Sequence, residues 1–297
     1  MIVVVIVVVI VILIPLITGA RMSTANKPMK HCNQFLKPYH QHQNHGNHGN
    51  DHGTDMISCL IMLNSSGMTA RLVEPIWREF SMHVCADGGA NRLFDTSSEQ
   101  QREVLRPSAI VGDLDSLRYD VRSFYGSHGS HIIEDIDQDY NDVDKSLKYA
   151  KSYFDSNNTN HSNVVVVVAG AFGGRFDQEI ASIHALYKWN SVFQRIVLMD
   201  GENIAMLLSP GKHELFPLQG IEGPTCGLLP VGGMVNSIST KGLKWNLDKH
   251  VLSIDGLVSS SNSIVGIDEN DDGVTKYMVE VDTSDYIIWS CTVSVDK

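Results

Sequence analysis

The strongest constraint on this chain is where its polar clusters fall relative to its apolar runs. Between residues 55 and 209, short apolar runs alternate with stretches of helical periodicity. Runs at 57–63, 83–86, 109–111, 131–133, 164–168 and 195–199 read as strands, and the 164–168 run is all valine, as in a strand buried on both faces. Residues 71–82 carry Leu72, Ile76 and Phe80 at helical spacing; 142–154 repeat Val143, Leu147, Ala150 and Phe154; 177–189 place Ile180, Ile183, Leu186 and Tyr187 inward. This alternation predicts an α/β doubly wound, mostly parallel sheet. After Pro210 the helical period disappears. Short runs at 213–218, 225–231, 234–239, 250–254, 275–281 and 286–293, separated by Gly and Asn/Asp turns, predict an all-β antiparallel sandwich domain over 210–297.

The chain before residue 55 has a different texture. Residues 1–20 hold an apolar leader, unbroken through Ile17, with the first basic residues, Arg21, Lys27 and Lys30, after it. It reads either as a membrane anchor, which would leave the rest of the chain in the cytoplasm, or as a start of no chemical consequence. Residues 21–54 read as a disordered linker, rich in histidine from His31 to His52. Five cysteines at wide spacing, with no C-x-x-C pair, argue against a disulfide framework and a structural zinc site, and favour a reducing compartment. Asp plus Glu is 34 and Lys plus Arg 23, a net charge of −11, which disfavours nucleic acid as a partner but not a nucleotide whose charge meets a metal held on carboxylates.

Four polar clusters each follow a predicted strand: Asp87-Gly88-Gly89-Ala90-Asn91-Arg92; Gly112-Asp113-Leu114-Asp115-Ser116; a loop ending Asp137-Gln138-Asp139-Tyr140-Asn141-Asp142, with Lys145 one turn on; and Gly170-Ala171-Phe172-Gly173-Gly174-Arg175-Phe176-Asp177-Gln178. Open α/β sheets bind ligands beyond the carboxyl ends of their strands, so these loops are expected to share one crevice. Asp113 and Asp115, with Asp139 or Asp142, would crowd carboxylates in a way that a hard cation such as Mg²⁺ stabilises beside phosphates. Glycines around Arg175 allow close backbone approach to phosphate oxygens, Arg175 offers a planar fork, and Lys145 a point charge. Each piece alone is weak: D-x-D is usually a solvated turn, and the 137–142 acids can simply favour a helix N-terminus. Their joint placement carries the argument. No G-x-x-x-x-G-K-S/T phosphate loop is present, which sets an ordinary P-loop kinase aside.

These segments, Cys85 to Leu93, Gly112 to Ser116, Asp137 to Lys145 and Gly173 to Gln178, resemble the signature segments of eukaryotic thiamin pyrophosphokinases, in order and spacing. The likeness continues through Pro210-Gly211-Lys212-His213, Cys226 to Gly232, Lys241 to Leu247 and Val258 to Ser263. The resemblance implies a homodimer that moves the pyrophosphoryl group of ATP to the hydroxyl of thiamin and releases AMP. It implies Asp113, Asp115 and Asp142 on Mg²⁺, and Gln138, Lys145, Arg175 and Gln178 on the nucleotide phosphates. Asp87 and Asn91 would belong to the same pocket, with Asp177 by the reacting end. Thiamin is expected at a subunit interface, against Trp245 and near Ser261, Asn262 and Ser263; a cationic thiazolium suits an indole face. Asn141 stands where Thr is common, and either caps a helix. Ser284-Asp285-Tyr286 replaces a proline-containing turn, with a shift of the last strand's edge as the expected consequence. The leader has no counterpart in the family pattern. The competing readings are transfer to a related alcohol, a binding protein without turnover, and a membrane-tethered adaptor.

Overall fold

The computed structural model describes residues 27–38, 57–268 and 275–294. The leader and most of the histidine tract lie outside the described residues. Among those described, no helix is long and apolar enough to cross a membrane.

After β1 (Met29–His31), the chain builds β2 (Ser58–Met62), α1 (Ala70–Val73), β3 (Met82–Ala86), α2 (Gly89–Thr96), α3 (Glu99–Val104), β4 (Ala109–Gly112), α4 (Tyr119–Ser127), β5 (His131–Glu134), α5 (Asp142–Ser156), β6 (Val165–Ala169), α6 (Phe176–Lys188) and β7 (Arg195–Met199). Strands β7-β6-β2-β3-β4-β5 pair in parallel in that spatial order. Alternate residues of the buried strands feed two cores, as a sheet covered on both faces requires. Val143, Leu147, Ala150 and Phe154 of α5 pack with Cys59, Ile61, Val84 and Val166 on one face. Leu93 of α2 and Tyr125 of α4 pack with Leu60, Met62, Cys85 and Val167 on the other. The doubly wound domain is as expected.

The 71–82 stretch is corrected in kind. Its apolar face is buried, with Leu72 and Phe80 at 5 % exposure and Ile76 at 0 %. Yet α1 lasts one turn and gives way to a 3₁₀ segment, Glu74–Glu79, with Pro75 in its first turn. A proline has no N–H for the α-ladder and clashes with the preceding turn. Ile180 is also corrected: it is 44 % exposed, near Phe176 one turn earlier, and the buried stripe of α6 runs through Ser182, Ala185 and Leu186 instead.

The remaining strands are β8 (Asn203–Leu208), β9 (Gly211–Leu215), β10 (Glu222–Leu229), β11 (Val235–Lys241), β12 (His250–Leu252), β13 (Ser259–Ser263), β14 (Ile267–Asp268), β15 (Thr275–Lys276), β16 (Val279–Thr283) and β17 (Ile287–Val293). They form a sandwich, one layer of which continues the parallel sheet. β8 pairs antiparallel with β7, followed by β17, β10 and β13, making a single sheet of ten strands. The facing layer, β1-β9-β16-β11-β12, closes over it. Val235, Ile238, Val279 and Val281 of that layer share a core with Leu228, Ile287 and Trp289 of the first. The 209/210 division therefore separates textures but not sheets. β17 lies between β8 and β10, so it is interior, and its preceding turn is tied by Asp285 Oδ2, which accepts from Asn236 N at 2.9 Å.

The disordered-linker reading of 21–54 is overturned for part of its length. β1 pairs in parallel with β9, and Phe35 and Leu36 are 2 % and 0 % exposed. Asn33 Nδ2 donates to Glu222 Oε1 at 2.8 Å, and an Arg195 Nη2 donates to Cys32 O at 2.8 Å. Cys59, Cys85, Cys226 and Cys291 are buried free thiols and Cys32 is a half-buried one.

Candidate active site

Strand β2 sits where the winding reverses: β3, β4 and β5 extend to one side and β6 and β7 to the other. Loops leaving β2 and β6 therefore diverge and open a crevice at the carboxyl edge. A cavity of about 350 Å³ lies there, walled by Leu63 to Ser66 after β2, Asp87 and Gly88 after β3, Gly170 to Arg175 after β6, Asp142, and Gln178 of α6. Ser65 Oγ donates to Gly173 O at 2.9 Å and Glu179 Oε1 accepts from Gly173 N at 2.9 Å, so the glycine loop is held on both sides. Gly173 and Gly174 have φ of +74° and +138°, which side-chain-bearing residues rarely adopt.

The acidic loops meet beside this cavity. Asp87, Asp113 and Asp115 each offer an oxygen within 4.8 Å of the others. Gly112 makes this approach possible, since a Cβ there would stand 2.7 Å from Asp87 Cβ. Asp87 is 3 % exposed; its Oδ2 accepts from Ser116 N at 3.3 Å, while its buried Oδ1 has no protein partner. Burial, with Asp113 and Asp115 nearby, raises the Asp87 carboxyl above its usual range even though Ser116 donates to it. Burial first, and then the Asp87 and Asp113 charges, push Asp142 up to about 6. For Asp113 burial pulls upward, but the Asp115 N–H, Gln138 and Lys145 together win and hold it low. An all-oxygen donor set, mutually repelling and with a buried lone pair unspent, suits a hard divalent cation. Asp142 stands outside this compact group, whose third member is Asp87.

Cations face the cluster. Lys145 is 2 % exposed, with Nζ 3.8 Å from Asp113 Oδ2; Gln138 Nε2 lies 3.5 Å from the same oxygen. Arg175 walls the cavity but is mostly in solvent, forked onto Asp177 at 2.5 and 3.1 Å; Asp177 itself is not part of the wall. Asn91 braces a loop instead of reaching into the cavity: its Nδ2 donates to Ser116 O at 2.7 Å and its Oδ1 accepts from Arg118 N at 3.2 Å.

Trp245 is 57 % exposed on a loop pinned to β13. Asn262, 4 % exposed, accepts from Trp245 N at 3.2 Å and donates to Trp245 O at 2.8 Å. Ser263 O accepts from Lys244 N at 2.8 Å, and Ser261 takes a φ of +56°. The backbone under the indole is thus fixed while the side chain stays largely exposed, with Lys244 Nζ 4.6 Å from the ring centre. None of Trp245, Ser261, Asn262 and Ser263 lines the 350 Å³ cavity.

The sequence matches two family models, "Thiamin pyrophosphokinase, catalytic domain" over residues 73–198 and "Thiamin pyrophosphokinase, vitamin B1 binding domain" over 212–283. It is 38 % identical to Thiamine pyrophosphokinase 1 of Oryza sativa subsp. japonica over 204 residues, 65 % of this chain and 76 % of the relative. The chain belongs to the thiamin pyrophosphokinase family. It is also 32 % identical to Thiamine pyrophosphokinase 1 of Arabidopsis thaliana over 248 residues, 80 % of this chain and 86 % of that one. Among solved structures, yeast thiamin pyrophosphokinase superposes with a TM-score of 0.73 at 26 % identity, covering 93 % of this chain and 94 % of the other. The Candida albicans enzyme gives 0.69 at 28 % identity, covering 81 % and 90 %.

The catalytic-domain match begins after β2, so it leaves out a cavity wall that sequence reasoning also missed. Asn64, Ser65 and Ser66 follow an apolar strand just as the four recognised clusters do, and that placement was the available signal. Arg92, at the cavity with its Nε donating to Asn64 Oδ1 at 3.1 Å, is a further cation of this thiamin pyrophosphokinase-family site.

Proposed function

We propose that this chain transfers the pyrophosphoryl group of ATP to the hydroxyl of thiamin, giving thiamin diphosphate and AMP, with Mg²⁺. The observation that carries the reading is the convergence of Asp87, Asp113 and Asp115 with Lys145 beside a cavity at the reversal of the sheet, in a chain of this family. Asp113 and Asp115 would hold the ion, with Asp87 as the third member of their group and Asp142 next to them at the cavity wall. A bound Mg²⁺ supplies charge neutralisation and alignment of the polyphosphate. Lys145, Gln138, Arg175 and Gln178 are assigned to the phosphates, where fixed cations stabilise charge that grows as the bond to the leaving AMP breaks. To reach a phosphate, Arg175 exchanges its fork on Asp177 for one on the substrate, which frees Asp177 beside the reacting end. Asp87 and Asn91 shape the nucleotide side, Asn91 through the Ser116 loop.

Thiamin is assigned to Trp245, with Ser261, Asn262 and Ser263 beneath it, and the thiazolium cation on the indole face. Trp245 does not line its own chain's cavity. A homodimer, in which one copy brings Trp245 to the other's cavity, answers that separation. Free cysteines among the described residues favour a reducing, cytoplasmic setting, and the net charge of −11 favours substrates over nucleic acid. The reading is tested by supplying ATP and thiamin with and without Mg²⁺. Thiamin diphosphate that forms only with the metal supports it; metal-independent formation, or none, contradicts it.

A further inference from the structure

Asp144 lies in the first turn of α5, between Asp142 and Lys145, yet takes no part in the acidic cluster. It is 2 % exposed, and both its oxygens are engaged by the end of α6. Oδ1 accepts from Trp189 Nε1 at 2.6 Å and Oδ2 from Lys188 Nζ at 2.8 Å. Its backbone N–H donates to the capping Asn141 Oδ1 at 2.9 Å. Lys188 Nζ also stands 4.5 Å from the centre of the Tyr140 ring, and Lys148 Nζ 5.1 Å from it. Tyr140 closes the loop that carries Gln138.

Burying a carboxylate against a lysine that is itself one-third exposed is a poor way to gain stability, because desolvation of the carboxylate consumes most of the attraction. What a two-donor clasp adds over apolar packing is direction, since hydrophobic contact is non-directional. Here the clasp fixes the rotation of α5 at the turn that presents Asp142 to the cavity and Lys145 to Asp113. The same Lys188 holds the Gln138 loop through Tyr140, and the helix it ends begins beside Arg175.

We propose that Asp144, acting through Lys188 and Trp189, is a positioning residue that sets Lys145, Asp142 and Gln138 for the polyphosphate of the nucleotide. This rests on the nucleotide reading given above. It predicts a loss confined to the nucleotide side, because nothing in the clasp touches the Trp245 loop.

The test is calorimetric titration of the full chain with a non-hydrolysable ATP analogue plus Mg²⁺, and separately with thiamin. Wild type is compared with Asp144→Ala, Lys188→Met and Lys188→Arg, each shown to be folded by a cooperative melt. Asp144→Ala and Lys188→Met should weaken analogue binding about tenfold and leave thiamin affinity within about twofold, the size expected when a supporting shell is loosened. Lys188→Arg should recover most of the loss. Folded variants that bind the analogue like wild type, with only a lower melting temperature, would reduce the clasp to a stabilising contact and overturn the proposal. Equal losses for both ligands would overturn it too. If Asp144→Ala does not fold, Lys188→Met and Tyr140→Leu decide the matter by the same criterion. A wild type that binds no analogue sinks the nucleotide reading itself, an outcome distinct from variants that bind normally.

Discussion

Lys145 Nζ faces Asp113 Oδ2 across 3.8 Å, with the lysine almost wholly buried and the carboxylate at the edge of solvent. Burial pulls the Asp113 carboxyl up, but the Asp115 N–H, then Gln138 and then the buried Lys145 ammonium hold it below its usual range. Asp113→Asn keeps the shape and removes the charge. Turnover should fall by about a hundredfold or more, as when one preorganised electrostatic partner is lost, while thiamin binding persists. Steady-state kinetics beside thiamin titration checks this; an unchanged kcat in the presence of Mg²⁺ would remove Asp113 from the metal site.

Trp245 gives a separate handle. Trp245→Ala should weaken thiamin binding by about 1–2 kcal/mol and leave the KM for ATP nearly unchanged. Mixing this variant with Asp113→Asn tests the dimer. If each site takes Asp113 from one copy and Trp245 from the other, re-equilibrated mixtures assayed at thiamin well below saturation, where Trp245→Ala is nearly silent, regain about a quarter of wild-type activity, since half the dimers are mixed and each of those has one intact site. No recovery would place both residues in one chain's site.

The stretch 27–38 should matter for stability and not for chemistry. A chain beginning at Ile57 forfeits the burial of Phe35 and Leu36 and the β1–β9 pairing. Compared with one beginning at Lys27, it should lose about 3–6 kcal/mol in urea unfolding, at about 1.5–3 kcal/mol for each of the two buried side chains. Equal midpoints and slopes would show the segment to be ornamental.

The same stretch carries an acid sensitivity. Burial, followed by the Arg195 charge and then His213, pushes His31 from 6.5 down to about 3, and its Nε2 lies 2.9 Å from His213 Nδ1. The folded state therefore resists a proton that the unfolded chain accepts. Stability from this group is complete above pH 6.5 and drains as pH falls from there toward 3. Between pH 6.5 and 5 the loss should be about 1–2 kcal/mol. His31→Gln should remove that part of the acid slope in paired melts; an identical slope in the variant would mean that other groups account for it.

The doubly wound sheet was legible because its strands are uninterrupted apolar runs and its loops are polar. The cavity followed from the rule about carboxyl ends; Asp142 is in its wall, while Asp113 and Lys145 stand beside it, 3.8 Å apart. Three things were hidden for physical reasons. The β1 segment sits in a polar, histidine-rich stretch, and its two anchors, Phe35 and Leu36, are too few to show a period. Asn203–Leu208 is apolar on both faces, because β8 joins the parallel sheet to the sandwich, so nothing in it marks a domain change. Pro75 hid in an otherwise good helical pattern. The Asp144 clasp could not be read either, since its partners lie 44 and 45 residues away.

The most direct measurement follows both adenine nucleotides while the chain from Lys27 onward works on ATP, Mg²⁺ and thiamin. AMP should rise in step with thiamin diphosphate, one for one, with ADP absent from the products. ADP accumulating with thiamin monophosphate would contradict one-step pyrophosphoryl transfer, and bound thiamin with no nucleotide product would leave a binding protein in place of an enzyme.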